Sequence, residues 1–376
     1  MPLDLTSIPI IDHHCHSLLR EQPRHEEAYR RFFTESYYPE IARDHVPYTL
    51  FYQWALRALA VFFQCEPRAE AILERRNALG LDELVRSIVA DANIRAWLVD
   101  YGYSSGETYD HAALEALVPC RVEPILRIES LIERLILESP DFDSLYAAYL
   151  QALGDLRGAG YVALKSIIAY RSGLHLQPTT RAAAQAAFVE LKEQARREGK
   201  VRVASKPLLD FLIVAAVEQA HRQDFPIQFH TGFGDPDQDL AKVNPALMRL
   251  ILHDDRYRGA RIVLLHASYP YARTLGYLAA VYPNVYADFG LAIPFVAGDA
   301  RAMVRGLLGL APASKVLYSS DAFHIPELYW LGARLGRRTL AAVLEEYIAD
   351  GLIDDSMAME MAEMILWRNA AQLYWQ

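Results

Sequence analysis

The sequence is poor in cysteine: Cys15, Cys65 and Cys120 are the only three in 376 residues. An odd, sparse set without a C-x-x-C pair argues against a disulfide framework and for a reducing compartment. Long apolar runs are missing as well. The most apolar stretch, residues 208–220, is broken by Asp210 and Glu218, well short of the roughly 18 unbroken apolar residues that a membrane span needs. Nor is there a basic block. The formal net charge is −9, with both signs spread along the chain, so nucleic-acid binding is not expected. The first residues carry Asp4 and Asp12 and no cationic region, which does not read as a signal peptide. Internal repeats and low-complexity segments are also lacking. These absences leave a soluble, cytoplasmic protein that handles a small molecule as the expectation.

What is present is apolar: 52% of residues are hydrophobic, enough to bury a large core. Short β-branched runs recur at residues 8–12, 94–100, 122–127, 161–168, 226–230, 261–266, 284–288 and 315–321. Runs this short and apolar suit strands covered on both faces, as in a parallel sheet. Helical patterns lie between most of them, at residues 179–199, 208–223, 245–253 and 271–282. Strands alternating with helices predict an α/β fold. Eight of them favour a (β/α)8 TIM barrel, which takes about 250 residues. An open doubly wound sheet is the rival, but its glycine-rich turn after the first strand is missing. The whole chain, 1–376, reads as a single barrel domain with one long helical insertion after the first strand, about 17–93. That insertion is rich in tyrosine and phenylalanine. It leaves the end of the strand where barrel active sites sit, and so reads as a cap; packing elsewhere, as a dimer surface, is nearly equal. A homo-oligomer is compatible with the sequence, which does not set its order.

The ends of the runs carry the chemistry. The first ends in Asp12-His13-His14-Cys15-His16. Positions two apart on a strand share a face, so His14 and His16 are expected to point into the barrel together, with His13 and Cys15 facing away. Lys165 lies in the fourth run, His230 ends the fifth, His266 the sixth and Asp321 the eighth. Imidazole and carboxylate suit zinc and similar divalent metals. Each residue alone has an ordinary reading: a structural histidine, a snorkelling lysine, a helix N-cap. All of them at strand ends, in one order, favour a metal site. Tyr170, Arg171 and His175 follow the fourth run and His324 follows Asp321. A guanidinium at the mouth suits a substrate carboxylate. Arg127 and Glu129 close the third run, where an internal ion pair and a substrate contact are equal readings, and Tyr103 follows the second.

The order H-x-H, Lys, His, His, Asp resembles that of the amidohydrolase superfamily. Residues 164–174 (LKSIIAYRSGL), 229–235 (FHTGFGD) and 318–323 (YSSDAF) look like its amidohydrolase-2 branch, and within it like FluG-type, nodulin-like proteins. The resemblance implies metal-dependent hydrolysis, with His14, His16 and Asp321 on one metal and His230 and His266 on a second. It also implies that Lys165, carboxylated by CO2, bridges the two. One or two divalent metals per chain are expected, zinc first among them. Asp321 would act as catalytic base, and a small carboxylate-bearing amide, γ-glutamyl or N-acyl, would be the substrate. The alternatives are a metal-dependent decarboxylase or lactone hydrolase on the same barrel, and a non-catalytic FluG-like domain.

Overall fold

The computed structural model describes residues 3–103 and 106–375. Eight parallel strands run in chain order, β1 Ile10–Cys15, β2 Ile94–Asp100, β3 Arg121–Arg127, β4 Ala163–Ser166, β5 Pro226–Phe229, β6 Arg261–Leu264, β7 Val285–Asp288 and β8 Val316–Leu317, each paired with the next. Strand β8 returns to β1 not by a regular ladder but by single bonds. Asp321 N donates to His14 O (3.0 Å) and His16 N to Ala322 O (2.8 Å). The result is a nearly closed (β/α)8 barrel with helices between the strands.

Two buried clusters explain the alternation along each strand. Ile11, Ala96, Leu98, Ile125, Ala163, Val263, Leu265 and Leu317 fill the barrel, while Trp97, Val99, Leu164, Ile227, Phe229, Ile262 and Leu264 pack outward against the helices. The short helix Asn369–Tyr374 adds Ala370, Leu373 and Tyr374 to the inner cluster. It sits at the strand starts, where Arg261 donates to Leu373 O (3.0 Å). It therefore forms the barrel floor and leaves the strand ends as the open face.

The helices follow local chemistry. Arg181–Glu198 starts where the Thr180 side chain accepts from Ala183 N and ends at Gly199, φ 69°, a left-handed conformation that glycine adopts without strain. Its buried residues Ala184, Ala187, Phe188, Leu191 and Ala195 form one face at helical spacing. Residues 208–223 fall within the helix Lys206–Arg222, and 271–282 bracket Ala272–Val281. The helix expected over 245–253 is instead a 3-10 turn, Pro245–Leu247, and a single α-turn, Arg249–Leu252, parted at Met248, whose ψ of 23° interrupts the ladder.

The insertion does two jobs. Its longer helices, Leu50–Phe63, Ala69–Asn77 and Leu81–Asp91, lie away from the open face. Phe51 packs on Phe295 (5.3 Å between ring centroids), Phe62 on Trp330 (5.0 Å), and Asp91 accepts from Trp330 Nε1 (2.6 Å). Trp330 belongs to the long helix Pro326–Ala349 that follows β8. Of the insertion, residues between 31 and 42 line the cavity at the open face. The cap expected over 17–93 thus narrows to about a dozen residues. Among the described residues no helix is long and apolar enough to cross a membrane.

Candidate metal centre

The first strand does not alternate as its sequence suggests. Asp12 pairs with Trp97, but Cys15 pairs with Val99, so β1 carries one more residue than β2 between these points. This is a bulge, and it shifts the parity of the strand. Ile11 and His13 point inward before it, and His14 and His16 point inward after it. Cys15 faces outward, as expected. His13 does not: its Nε2 lies 3.2 Å from Asp288 Oδ2 and its Nδ1 3.0 Å from Tyr374 Oη, inside the barrel. A strict period of two puts His13 on the wrong face because it contains no bulge.

His14 and His16 converge on Asp321. Their Nε2 atoms lie 3.0 and 3.3 Å from Asp321 Oδ1, and His266 Nε2 is 3.9 Å from Oδ2. Asp321 and His266 reach this position through left-handed backbone, φ 52° and 68°, strain of the kind that collects at functional sites. Neighbouring bonds fix the turns. Asp288 Oδ1 accepts from His266 N (2.6 Å), and Asp12 accepts from Ser320 N (2.8 Å) beside Asp321. Gly232 lets the β5 loop pass close to the β6 loop, since a Cβ there would stand 2.4 Å from the Ser268 carbonyl carbon. His230 rests against His266 and Tyr170, 4.4 Å from each ring. Lys165 Nζ is 2.9 Å from His14 Nε2. The six residues named from the strand ends therefore meet in one place.

Their electrostatics favour a bound cation. Burial and the facing Lys165 push His14 down to about 4; burial first, then neighbouring cationic groups, holds His230 and His266 well below the usual histidine range. These rings are neutral and can donate electron pairs. Burial opposes ionisation of Asp321, yet His266, His14 and His16 around it hold its carboxyl well below the ordinary range. The tautomers fit as well. His16 Nδ1 lies 2.9 Å from Asp100 O, a group that only accepts, so Nδ1 is the donor there and Nε2 is the nitrogen turned to Asp321. His230 Nε2 likewise meets Phe233 O (3.2 Å), leaving Nδ1 free to ligate. Such outer hydrogen bonds are how ligating histidines are held. Both ring nitrogens of His266 are shielded from water and lack a hydrogen-bond partner, an arrangement that costs about 1–3 kcal/mol per group unless something else satisfies them. His14, His16 and Asp321 place their ligand atoms within 4.8 Å of one another. The donor set fits a divalent cation.

Above this cluster lies a cavity of about 630 Å³, lined among others by His16, Lys165, His230 and Asp321, a volume suited to a small organic ligand. Tyr170, Arg171 and His324 line it too. Arg171 also touches Glu133 (3.3 Å), using one of its donors. Burial, then His16, pushes His324 down to about 4. His175 does not belong: it is exposed, because Leu174 and Leu176 on either side take the buried positions. Arg127 is not paired with Glu129. It grips Asp100 with Nη2 and Nε at 2.6 and 2.9 Å, while Glu129 accepts from Ser166 Oγ (2.7 Å) and Ile167 N (3.0 Å). Asp100 ends β2 as Asp321 follows β8, a signal present in the sequence and left unused. Glu35 and Asp235 also line the cavity; Glu35 lies in the insertion, where no strand pattern marks it.

A family model described as Amidohydrolase matches residues 161–375, more than half of the chain. The chain belongs to the amidohydrolase family. This amidohydrolase is 30% identical to the protein fluG of Emericella nidulans over 403 aligned positions, which cover 97% of this chain and 45% of fluG. The chain therefore spans less than half the length of that relative. A candidate metal-dependent hydrolase of Lactobacillus casei ATCC 334 is also 30% identical, with a TM-score of 0.89 over 98% of this chain and 96% of that one. The uronate isomerase of Thermotoga maritima shares the fold alone, at 15% identity and a TM-score of 0.67 over 98% and 95% of the two chains. The amidohydrolase is thus an enzyme built on a metal-dependent hydrolase fold, with a His–His–Asp cluster fit for a divalent metal.

Proposed function

We propose that the chain hydrolyses a C–N amide bond of a small, carboxylate-bearing substrate. The observation that carries this reading is the convergence of His14 Nε2, His16 Nε2 and Asp321 Oδ1 at the floor of the cavity. Two zinc ions would be held there, one by His14, His16 and Asp321 and one by His230 and His266, with a carboxylated Lys165 between them. When bound, such ions polarise a carbonyl and lower the pKa of a coordinated water to about 7.

The chain's own residues supply the rest. Asp321, ionised and without a lysine or arginine partner among the described residues, is the base that takes the proton from the attacking water and returns it to the leaving nitrogen. Arg171 lines the cavity and has guanidinium donors left after its contact with Glu133. It meets the substrate carboxylate. Tyr170, stacked near His230, and His324 shape the wall. The buried Asp100–Arg127 pair holds the strand end that fixes His16.

The test is metal content together with hydrolysis of a panel of N-acyl and γ-glutamyl amides. Two metals per chain and release of the amine from at least one member are expected. Two metals with no hydrolysis across the panel would overturn the amide reading. One metal with an unmodified Lys165 would move the assignment to a decarboxylase on the same barrel.

A further inference from the structure

The cavity's charges do not cancel evenly. Of its arginines, Arg127 is taken by Asp100, Arg202 by Asp237 (2.7 Å) and Arg171 is in contact with Glu133, while Arg31 is exposed to water. Two acids that line the same space, Glu35 and Asp235, form no ion pair among the described residues. Asp235 keeps one oxygen on the backbone N–H of Asp237 (2.9 Å). Glu35 has less: its Oε1 is shielded from water and has no hydrogen-bond partner. A polar atom that is neither solvated nor bonded is costly and needs an explanation, and here it stands on the only segment of the insertion that reaches the cavity. Burial, with Asp321 and then Asp235 nearby, pushes the Glu35 carboxyl up to about 8. Without a cation beside it the carboxyl keeps its proton near neutral pH, and a cationic partner at the unpartnered Oε1 would favour its ionised form.

We infer that Glu35 is a specificity-determining residue that receives a protonated amine of the substrate, with Asp235 adding to the negative field. Resting on the hydrolase reading, this places an ammonium at Glu35 and a carboxylate at Arg171, two side chains that line the same cavity. The substrate is then an amide whose amino-acid half keeps its amine free, as in a γ-glutamyl compound. An N-acyl amino acid, which has no ammonium, is excluded. The segment carrying Glu35 is tied to the loop after β5 by Tyr37 Oη, which donates to Asp237 Oδ1 (3.2 Å).

The test uses L-glutamate and glutarate, which differ in the ammonium and contain no amide bond to cleave, with binding to the metal-loaded protein read by calorimetry. L-glutamate is expected to bind about ten- to a hundredfold more tightly, the range of a charge-assisted hydrogen bond. Glu35→Gln should bring L-glutamate down to the level of glutarate while leaving the latter unchanged. Glu35→Asp should restore part of the preference, which a merely structural role would not do. Equal binding in the parent protein, no binding of either ligand, or a preference that survives Glu35→Gln would overturn the inference. If the preference holds but no amide of the panel is cleaved, the hydrolase reading fails and with it the amide, while Glu35 stands as the acceptor of the ligand's ammonium.

Discussion

Lys165 Nζ stands 2.9 Å from His14 Nε2, deep in the barrel, with no carboxylate paired to it among the described residues. Burial pushes its amine down to about 8, which leaves part of it neutral and nucleophilic near pH 7. An ammonium beside metal ligands would repel the cations; a carbamate would attract them. We expect carbon NMR of protein supplied with isotope-labelled bicarbonate to show a carbamate that disappears in Lys165→Met, and that variant to hold no more than half of the parent's metal by elemental analysis. An unmodified Lys165 in fully loaded, active protein would refute the bridge.

Asp321 is assigned as both ligand and base, and the two roles separate under substitution. Asp321→Asn keeps an oxygen for the metal and loses the proton acceptor. Turnover should fall by about 10²–10⁴-fold, the usual worth of positioned acid–base catalysis, with most metal retained. Steady-state rates alongside metal analysis check this, and unchanged turnover would remove Asp321 from the mechanism.

The Asp100–Arg127 pair is a different case, because both partners are buried. Burial opposes ionisation of Asp100, but Arg127 beside it holds the carboxyl well below the usual range. Arg127→Met leaves that charge buried and alone, which should cost about 3–5 kcal/mol in chemical denaturation. Removing both charges, as Asp100→Asn with Arg127→Met, should recover much of the loss. A single-variant cost below about 1 kcal/mol would show that the pair is dispensable.

Glu35 gives a pH signature in metal-free protein. Its carboxyl holds a proton up to about 8 when folded, against a usual value of 4.5. Between those values the folded state binds more protons than the unfolded one, so Glu35 makes stability fall as pH rises. Glu35→Gln lacks this loss. Its stability relative to the parent should therefore grow from pH 4.5 to about 8 and level off above. A difference that stays flat with pH would show that Glu35 titrates normally.

Much of the architecture was legible because buried parallel strands are written as short apolar runs. Residues 94–100 were delimited to the residue, and the ligand-bearing ends fell in the right order. What failed did so for local reasons. The fourth run extended to Ile168, but Ile168–Tyr170 closes a 3-10 turn. The eighth was expected to continue to Asp321, but beyond Leu317 the chain turns from β7 toward β1. Glu35 was invisible because its importance lies in where a loop passes, and no periodicity records that. The partner of Arg127 was missed because Asp100 lies 27 residues away in sequence and comes alongside only when β2 and β3 pair.

The bulge in β1 gives the strand one more inward side chain than a regular ladder of its length could offer. Without His13, Asp12 to Cys15 would match Trp97 to Val99 residue for residue and still turn His14 and His16 inward, while the shift between Ile10 and Ile11 would remain. Gain or loss of a single codon at this place therefore adds or removes an interior group while the others stay put. A point substitution changes the group at one position but not the number of positions that face inward, so kinship across this strand is better sought in gaps than in exchanged letters.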